Sequence, residues 1–139
     1  MPNTLKLEIV TPEAIVYEDD VHMVTFPGID GELGIYPMHV PLITQIVPGE
    51  IVVTRAGQES HLAVGEGLVD ITGDSVTIVT DMAIAADKID EAKVEEARQR
   101  AAARLSEKLS DEEVASVNAS LARSLAQLHV KRRRRGGSA

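Results

Sequence analysis

Up to about residue 82, apolar side chains recur at every second position, the spacing that sets one face of a β-strand on a core and the other in water. Leu5, Leu7 and Ile9 alternate with Lys6 and Glu8, and the same pattern predicts short strands over 21–26, 51–54, 61–64, 68–72 and 76–80. Turn-forming groups separate them: Pro27-Gly28, Asp30-Gly31, Pro48-Gly49, Ala56-Gly57-Gln58, Gly65-Glu66-Gly67 and Gly73-Asp74-Ser75. Short strands at this spacing with no helix between them predict an antiparallel β-sandwich or flattened barrel.

After residue 86 the pattern changes. Glycine and proline vanish until Gly136, and alanine, glutamate, arginine and leucine take over, all good helix formers. Asp87 or Asp90 can cap a first helix whose apolar stripe is Val94, Ala97, Ala101, Leu105 and Leu109. Ser110-Asp111-Glu112-Glu113 reads as a capping box opening a second helix with the stripe Val114, Val117, Leu121, Leu125 and Leu128. That helix ends in the basic run Lys131, Arg132, Arg133, Arg134 and Arg135. Two helices of about 20 residues joined this closely run antiparallel. The chain is therefore expected to be α+β: a β-sandwich over 1–86, an α-helical hairpin over 87–135 and a flexible tail over 136–139. Ala97 and Ala101 bury little apolar surface, at about 25 cal/mol per Å². The hairpin is thus expected to dock weakly and to be able to exchange partners.

Length and composition agree with one folded unit plus an appendage: 139 residues, 44% hydrophobic and 26% charged. Aromatic residues are only Phe26, Tyr17 and Tyr36, which leaves no base-stacking platform for single-stranded nucleic acid. The absence of cysteine removes disulfides, thiolate chemistry and cysteine-ligated metals. Charge is unevenly divided. Residues 1–85 hold two bases against thirteen acids, a balance of −11, while residues 86–139 hold twelve bases and nine acids, a balance of +3. An acidic front with a basic end opposes general nucleic-acid binding and fits partner recognition. No signal-peptide pattern opens the chain, and the longest uncharged run, 33–49, is interrupted by Pro37, Pro41 and Pro48. A soluble, cytoplasmic protein that meets a membrane only through partners is expected.

Catalytic chemistry has little support. Neither a Gly-x-Ser-x-Gly elbow nor a Gly-x-x-x-x-Gly-Lys phosphate loop occurs. The histidines at 22, 39, 61 and 129 have no paired metal-ligand spacing. Asp19-Asp20 and Glu112-Glu113 are adjacent in sequence, as a solvated face and a helix cap would have them. A ligand-binding or hydrolytic sandwich would need an acid–base or metal cluster on the strands. A nucleic-acid adaptor using the arginine tail would show steep salt dependence. The most informative stretch is 30–42, an expected irregular loop presenting Glu32, Leu33, Tyr36, Met38 and His39. It reads either as a wide loop closing one end of the sandwich or as a protein interface.

Several motifs carry a resemblance over nearly the whole chain. Thr11-Pro12 with 16–21, Gly31-Glu32-Leu33-Gly34-Ile35-Tyr36-Pro37 followed by His39, Pro41 and Leu42, Ala63-Val64 with Gly67, and Val76-Thr77-Ile78-Val79 stand in the order found in the epsilon-subunit family of F-type ATP synthases. The chain resembles that family. The resemblance implies a sandwich of about ten strands that binds the gamma subunit and the c-subunit ring, and a hairpin that contacts the alpha and beta subunits of the catalytic head. It also implies a non-catalytic central-stalk function on the cytoplasmic face of the cell inner membrane, with ATP hydrolysis inhibited when the hairpin extends. By position, Glu32 and Leu33 match residues facing the c ring. Tyr36, Met38 and His39 match residues near gamma, Met38 replacing a glycine common in the motif. Arg123 matches a basic position on the second helix of the inhibitory arm, whereas the run from Lys131 to Arg135 is longer than the family pattern and is expected to pair with acidic loops of beta, the alternative being solubilising charge and helix capping. Some family members bind ATP through Ile-Asp-x-x-Arg-Ala on the hairpin. Here Asp90 and Arg123 match, but Lys93 stands for the arginine, Val94 for the alanine, Ile84 for a glutamate and Gln127 for a second arginine. Lysine lacks the planar fork of arginine. No cofactor is expected, and Asp90 reads as a helix cap.

Overall fold

A computed structural model describes residues 3–137, with side chains through Arg133. Ten strands come first: β1 Leu5–Val10, β2 Ile15–Val21, β3 Met23–Gly28, β4 Gly31–Ile35, β5 Leu42–Ile46, β6 Gly49–Arg55, β7 Gln58–Val64, β8 Gly67–Ile71, β9 Ser75–Thr80 and β10 Ala83–Ala85. A 3-10 turn, Ala86–Lys88, leads to helix α1, Glu91–Arg104, and then to α2, Asp111–Gly137. The strands form one folded-over sheet in the order β10-β7-β6-β3-β5-β8-β9-β1-β2. β4 adds to the other edge of β3, opposite β6 and β5.

Alternation of residue type produces the closure. Leu5, Leu7 and Ile9 of β1 are buried, as are Val69 and Ile71 of β8 and Val76 and Ile78 of β9. They meet Val24, Phe26, Ile51, Val53, Leu62 and Val64 from the other layer in one cluster of sixteen buried residues. Each such side chain contributes about 1.5–3 kcal/mol when fully buried. Phe26 is the one aromatic in that cluster, and β-branched and leucine side chains fill the rest.

Several sequence expectations are corrected. β2 and β5 were not among the predicted strands, because the consecutive acids Glu18-Asp19-Asp20 of β2 fall on both faces and β5 shows Leu42 and Ile43 to solvent, so neither alternates cleanly. The expected irregular loop at 30–42 begins as β4, since Asp30-Gly31 closes a hairpin with β3 in which Phe26 faces Leu33. Pro27-Gly28 lies inside β3 rather than in a turn. The run 21–26 is divided at His22, between the end of β2 and the start of β3. The sheet is antiparallel except at β1 and β9, which pair in parallel from Lys6 opposite Ser75 to Val10 opposite Val79.

The helical end also differs in detail. α1 stops at Arg104, so Leu105 and Leu109 fall in the connection and Leu105 is exposed. Asp90 caps α1, accepting from the Lys93 amide at 3.2 Å. The capping box forms as expected, with Glu113 accepting from the Ser110 amide at 3.0 Å and the Ser110 hydroxyl accepting from the Glu113 amide at 3.2 Å. α2 packs against α1 and also against β6 and β7, so it carries two contact faces rather than one stripe. Val117 and Leu128 are buried as expected, whereas Leu125 is exposed, and Ser124, Ala126 and Val130 are buried although they lie outside the predicted stripe. The helix backbone runs through Gly137 into the expected tail. The side chains of Arg134 and Arg135, and residues Ser138 and Ala139 altogether, lie outside the described residues.

Candidate interaction surfaces

Two outer faces of the sandwich meet different fates. On β5, β8, β9 and β1 the register aligns Gln45, Leu68, Val79 and Val10 in one row, and Ile43, Asp70, Thr77 and Glu8 in the next. Leu7, Ile9, Val69, Ile71, Val76 and Ile78 point inward, so these rows point outward. Ile43 is 71% exposed, and Leu68 and Val79 are each 52% exposed. The 36–42 segment adjoins β5 and adds Tyr36, Val40 (74% exposed) and Met38 (90% exposed). Exposed apolar side chains grouped on one face are a common feature of protein–protein contact sites.

Met38 owes its projection to the backbone. Its φ is +68°, a conformation that costs an L side chain energy and suits glycine. Its amide donates to the Gly73 carbonyl at 2.6 Å, tying the segment to the β8–β9 turn. His39 is half-buried, its Nδ1 donating to the Val40 carbonyl at 2.7 Å. Glu32 projects from β4, exposed, beside the β3–β4 tip. Leu33, in contrast, is half-buried and packs on the main core, so only part of it is available to a partner.

The second outer face, on β6 and β7, lies under α2. Ala63, Ile89 and Val130 are buried together there, with Met82, Ile84, Ala86 and Val94 packed around them. This cluster has three buried residues against sixteen in the sandwich core, Ala126 of α2 is buried as well, and polar contacts supplement them. Arg123 donates to Asp81 at 3.2 Å, Gln127 to the Met82 sulfur at 3.1 Å and Lys131 to the Ala86 carbonyl at 3.4 Å. These three side chains recur every four residues, on one stripe of α2 facing the segment that connects sandwich and hairpin. Arg132 donates to Glu91 at 3.0 Å and to Glu95 at 3.3 Å on α1, and the hydrogen bond accepted by Glu91 raises its guanidinium pKa. The hydrogen bond from Arg98 is the main reason that the Glu95 carboxyl lies below its ordinary range. Arg133 donates to Glu50 Oε1, and His61 Nδ1 donates to Glu50 Oε2 at 3.0 Å.

The residues of the family's nucleotide motif are held separately here: Asp90 caps the Lys93 amide and Arg123 pairs with Asp81. Asp81, Glu50 and His61 were missed as site residues. The alternation Glu50, Ile51, Val52, Val53 already places Glu50 opposite the core-facing Ile51, and a small Ala63 on the same outer face signals that something lies over it. A cleft of about 1060 Å³ opens between the sheet edges β2 and β10, bordered by Ile15, Val16, Leu62 and Lys131 among others. Among the described residues no group of three or more His, Asp or Glu side chains is placed to hold a metal ion. No described helix is long and apolar enough to cross a membrane.

Comparison with known proteins covers both halves. The family model for the ATP synthase delta/epsilon chain β-sandwich domain matches residues 4–86, and that for the long α-helix domain of the same chain matches residues 87–132. An ATP synthase epsilon chain of Laribacter hongkongensis is 38% identical over 128 residues, covering 91% of both chains. One from Herpetosiphon aurantiacus is 37% identical over 131 residues, covering 94% of this chain and 96% of its own. Among solved structures, a chain of the Euglena gracilis mitochondrial ATP synthase (OSCP/F1/c-ring, rotational state 1) superposes with a TM-score of 0.75 at 20% identity, over 93% of this chain and 81% of that one.

Proposed function

This chain belongs to the ATP synthase delta/epsilon family, and from that premise we propose that it is the epsilon subunit of an F-type ATP synthase, binding gamma through the uncovered face of its sandwich. Its relatives are non-catalytic subunits of a multisubunit enzyme, and the rotary function is one of contact rather than chemistry. The observation that carries the reading is the uncovered apolar face with Tyr36, Met38, Val40, Ile43, Leu68 and Val79 exposed on it. A subunit that turns with a stalk must be gripped firmly by one partner, and a broad apolar face supplies that grip. Glu32 at the β3–β4 tip is the c-ring contact. His39 and Tyr36 border the gamma contact. The complex holds the chain peripherally at the cytoplasmic face of the membrane.

The hairpin is the regulatory part. Its small apolar contact with β6 and β7 and its dependence on polar contacts support an arm that can leave the sandwich and reach the alpha and beta subunits. Released, the run from Lys131 to Arg135 meets acidic surface on the catalytic head and holds back ATP hydrolysis. No nucleotide is needed to dock the hairpin, since Asp81 already satisfies Arg123.

Reconstitution tests both halves of the proposal. Ile43→Asp should abolish co-purification with gamma while leaving the circular dichroism of the free chain unchanged. Deletion of residues 131–139 should preserve assembly and raise ATP hydrolysis. Intact assembly of Ile43→Asp overturns the gamma face, and unchanged hydrolysis after the deletion overturns the inhibitory arm.

A further inference from the structure

We propose that Glu50 is a built-in receptor for the basic tip of α2, occupying a cation that an acidic partner would need and so setting how readily the hairpin is released. The proposal rests on the reading of the hairpin as a partner-engaging arm and assigns the residue that restrains it.

The Glu50 side chain is only 7% exposed. A carboxylate so shielded from water is stable only if its oxygens are bonded and its charge is met. Both conditions hold: His61, itself 7% exposed, serves one oxygen at 3.0 Å and Arg133 serves the other. β6 and β7 position the site, Glu50 standing opposite Ala63 and His61 opposite Val52, all on the outer face that α2 covers. Because an ionised Glu50 can only accept, His61 Nδ1 carries the proton. Nε2 of His61 is buried without a hydrogen-bond partner among the described residues, and the nearest facing charge is Glu59 Oε1 at 3.6 Å.

Arg133 differs from its partner in exposure. Its side chain is 59% exposed, so the guanidinium reaches inward from the surface and can leave without unpacking the core. Departure has unequal consequences: Arg133 regains water, while Glu50 keeps only His61 until α2 lifts away. Any acidic segment recruiting the tip must compete with Glu50 for Arg133, and with Glu91 and Glu95 for Arg132. The docked hairpin thereby masks the charge that makes its end a ligand. An acidic polypeptide is the partner class that this chemistry fits.

The test uses the full chain and a fluorescent polyglutamate peptide as the probe. Glu50→Gln should bind the probe about tenfold more tightly than the unaltered chain at low salt, and amides over 126–133 should exchange faster. Asp70→Asn, an equal change in net charge on the far face, should leave affinity near that of the unaltered chain. Arg133→Gln in the Glu50→Gln background should cancel the gain. Equal affinity for folded Glu50→Gln and the unaltered chain overturns the proposal, as does an equal gain from Asp70→Asn. Should Glu50→Gln unfold by circular dichroism, exchange of the unaltered chain over 126–133 decides. Acceleration with added salt supports the receptor, and exchange indifferent to salt overturns it. All of this is read on the isolated chain, so its failure is distinct from a failure to assemble with gamma.

Discussion

Arg123, near the middle of α2, donates to the carboxylate of Asp81, 42 positions earlier and 3.2 Å away, pinning the hairpin to the segment that leads out of the sandwich. Gly65 makes room for this pair: a Cβ there would fall on the Asp81 carboxylate and within 3.4 Å of Arg123 Cγ. Both partners are more than a third exposed, so Arg123→Gln should cost less than about 1 kcal/mol in urea denaturation. Gly65→Ala should cost more, about 1–3 kcal/mol, because it displaces the carboxylate as well as the pair. The reverse ranking would show that the space at Gly65 does not serve the ion pair.

Met38 holds a backbone conformation suited to glycine while exposing its side chain almost completely. Met38→Gly should therefore stabilise the free chain by about 0.5–1 kcal/mol, the relief of strain exceeding the entropy that glycine adds to the unfolded chain. The same substitution should weaken gamma binding by removing an apolar contact. Opposite signs in thermal melting and in a binding titration check the account; a fall in both would contradict it.

Glu8 and Glu18 lie directly opposite each other on β1 and β2. The hydrogen bond shared with Glu18, aided by desolvation and by the charge of Glu18, raises the Glu8 carboxyl pKa. A carboxyl raised on folding binds more protons in the folded state, so its contribution falls as pH rises through the window above the ordinary carboxylate range. Glu18→Gln should thus raise the melting temperature at neutral pH by about 2 °C. The gain should shrink as pH is lowered toward the ordinary range, where a proton already relieves the native pair. A gain independent of pH would contradict the assignment.

ATP titrated calorimetrically into the free chain should release no heat beyond dilution. Arg123 is already paired with Asp81, and Lys93 cannot make a two-pronged phosphate contact. A saturable isotherm that disappears in Arg123→Gln would overturn this expectation.

The sandwich was readable in the sequence wherever one face is apolar and the other polar, as in Leu5, Leu7 and Ile9 of β1 or Val76 and Ile78 of β9. It was obscured where a strand's inward face is short or its outward face carries apolar residues. β5 has one fully buried residue, Ile46, and shows Leu42 and Ile43 to solvent. Those departures from alternation form the proposed interface, so the positions that hid the strand are the ones that carry function. In the hairpin, capping at Asp90 and Ser110 was legible because it is local. The buried set of α2 was not, because β6 and β7 compete with α1 for its surface and bring Ala126 and Val130 inward in place of Leu125. Glu50 and His61 needed the fold to bring two strands and a helix end together.

Side-chain footprinting of the chain, free and assembled, tests the central claim most directly. Hydroxyl-radical labelling of Tyr36, Met38, Ile43 and Leu68, all exposed here, should fall sharply when gamma and the c ring are bound. Unchanged labelling of those four residues in the assembled complex would contradict a central-stalk subunit gripped through this face.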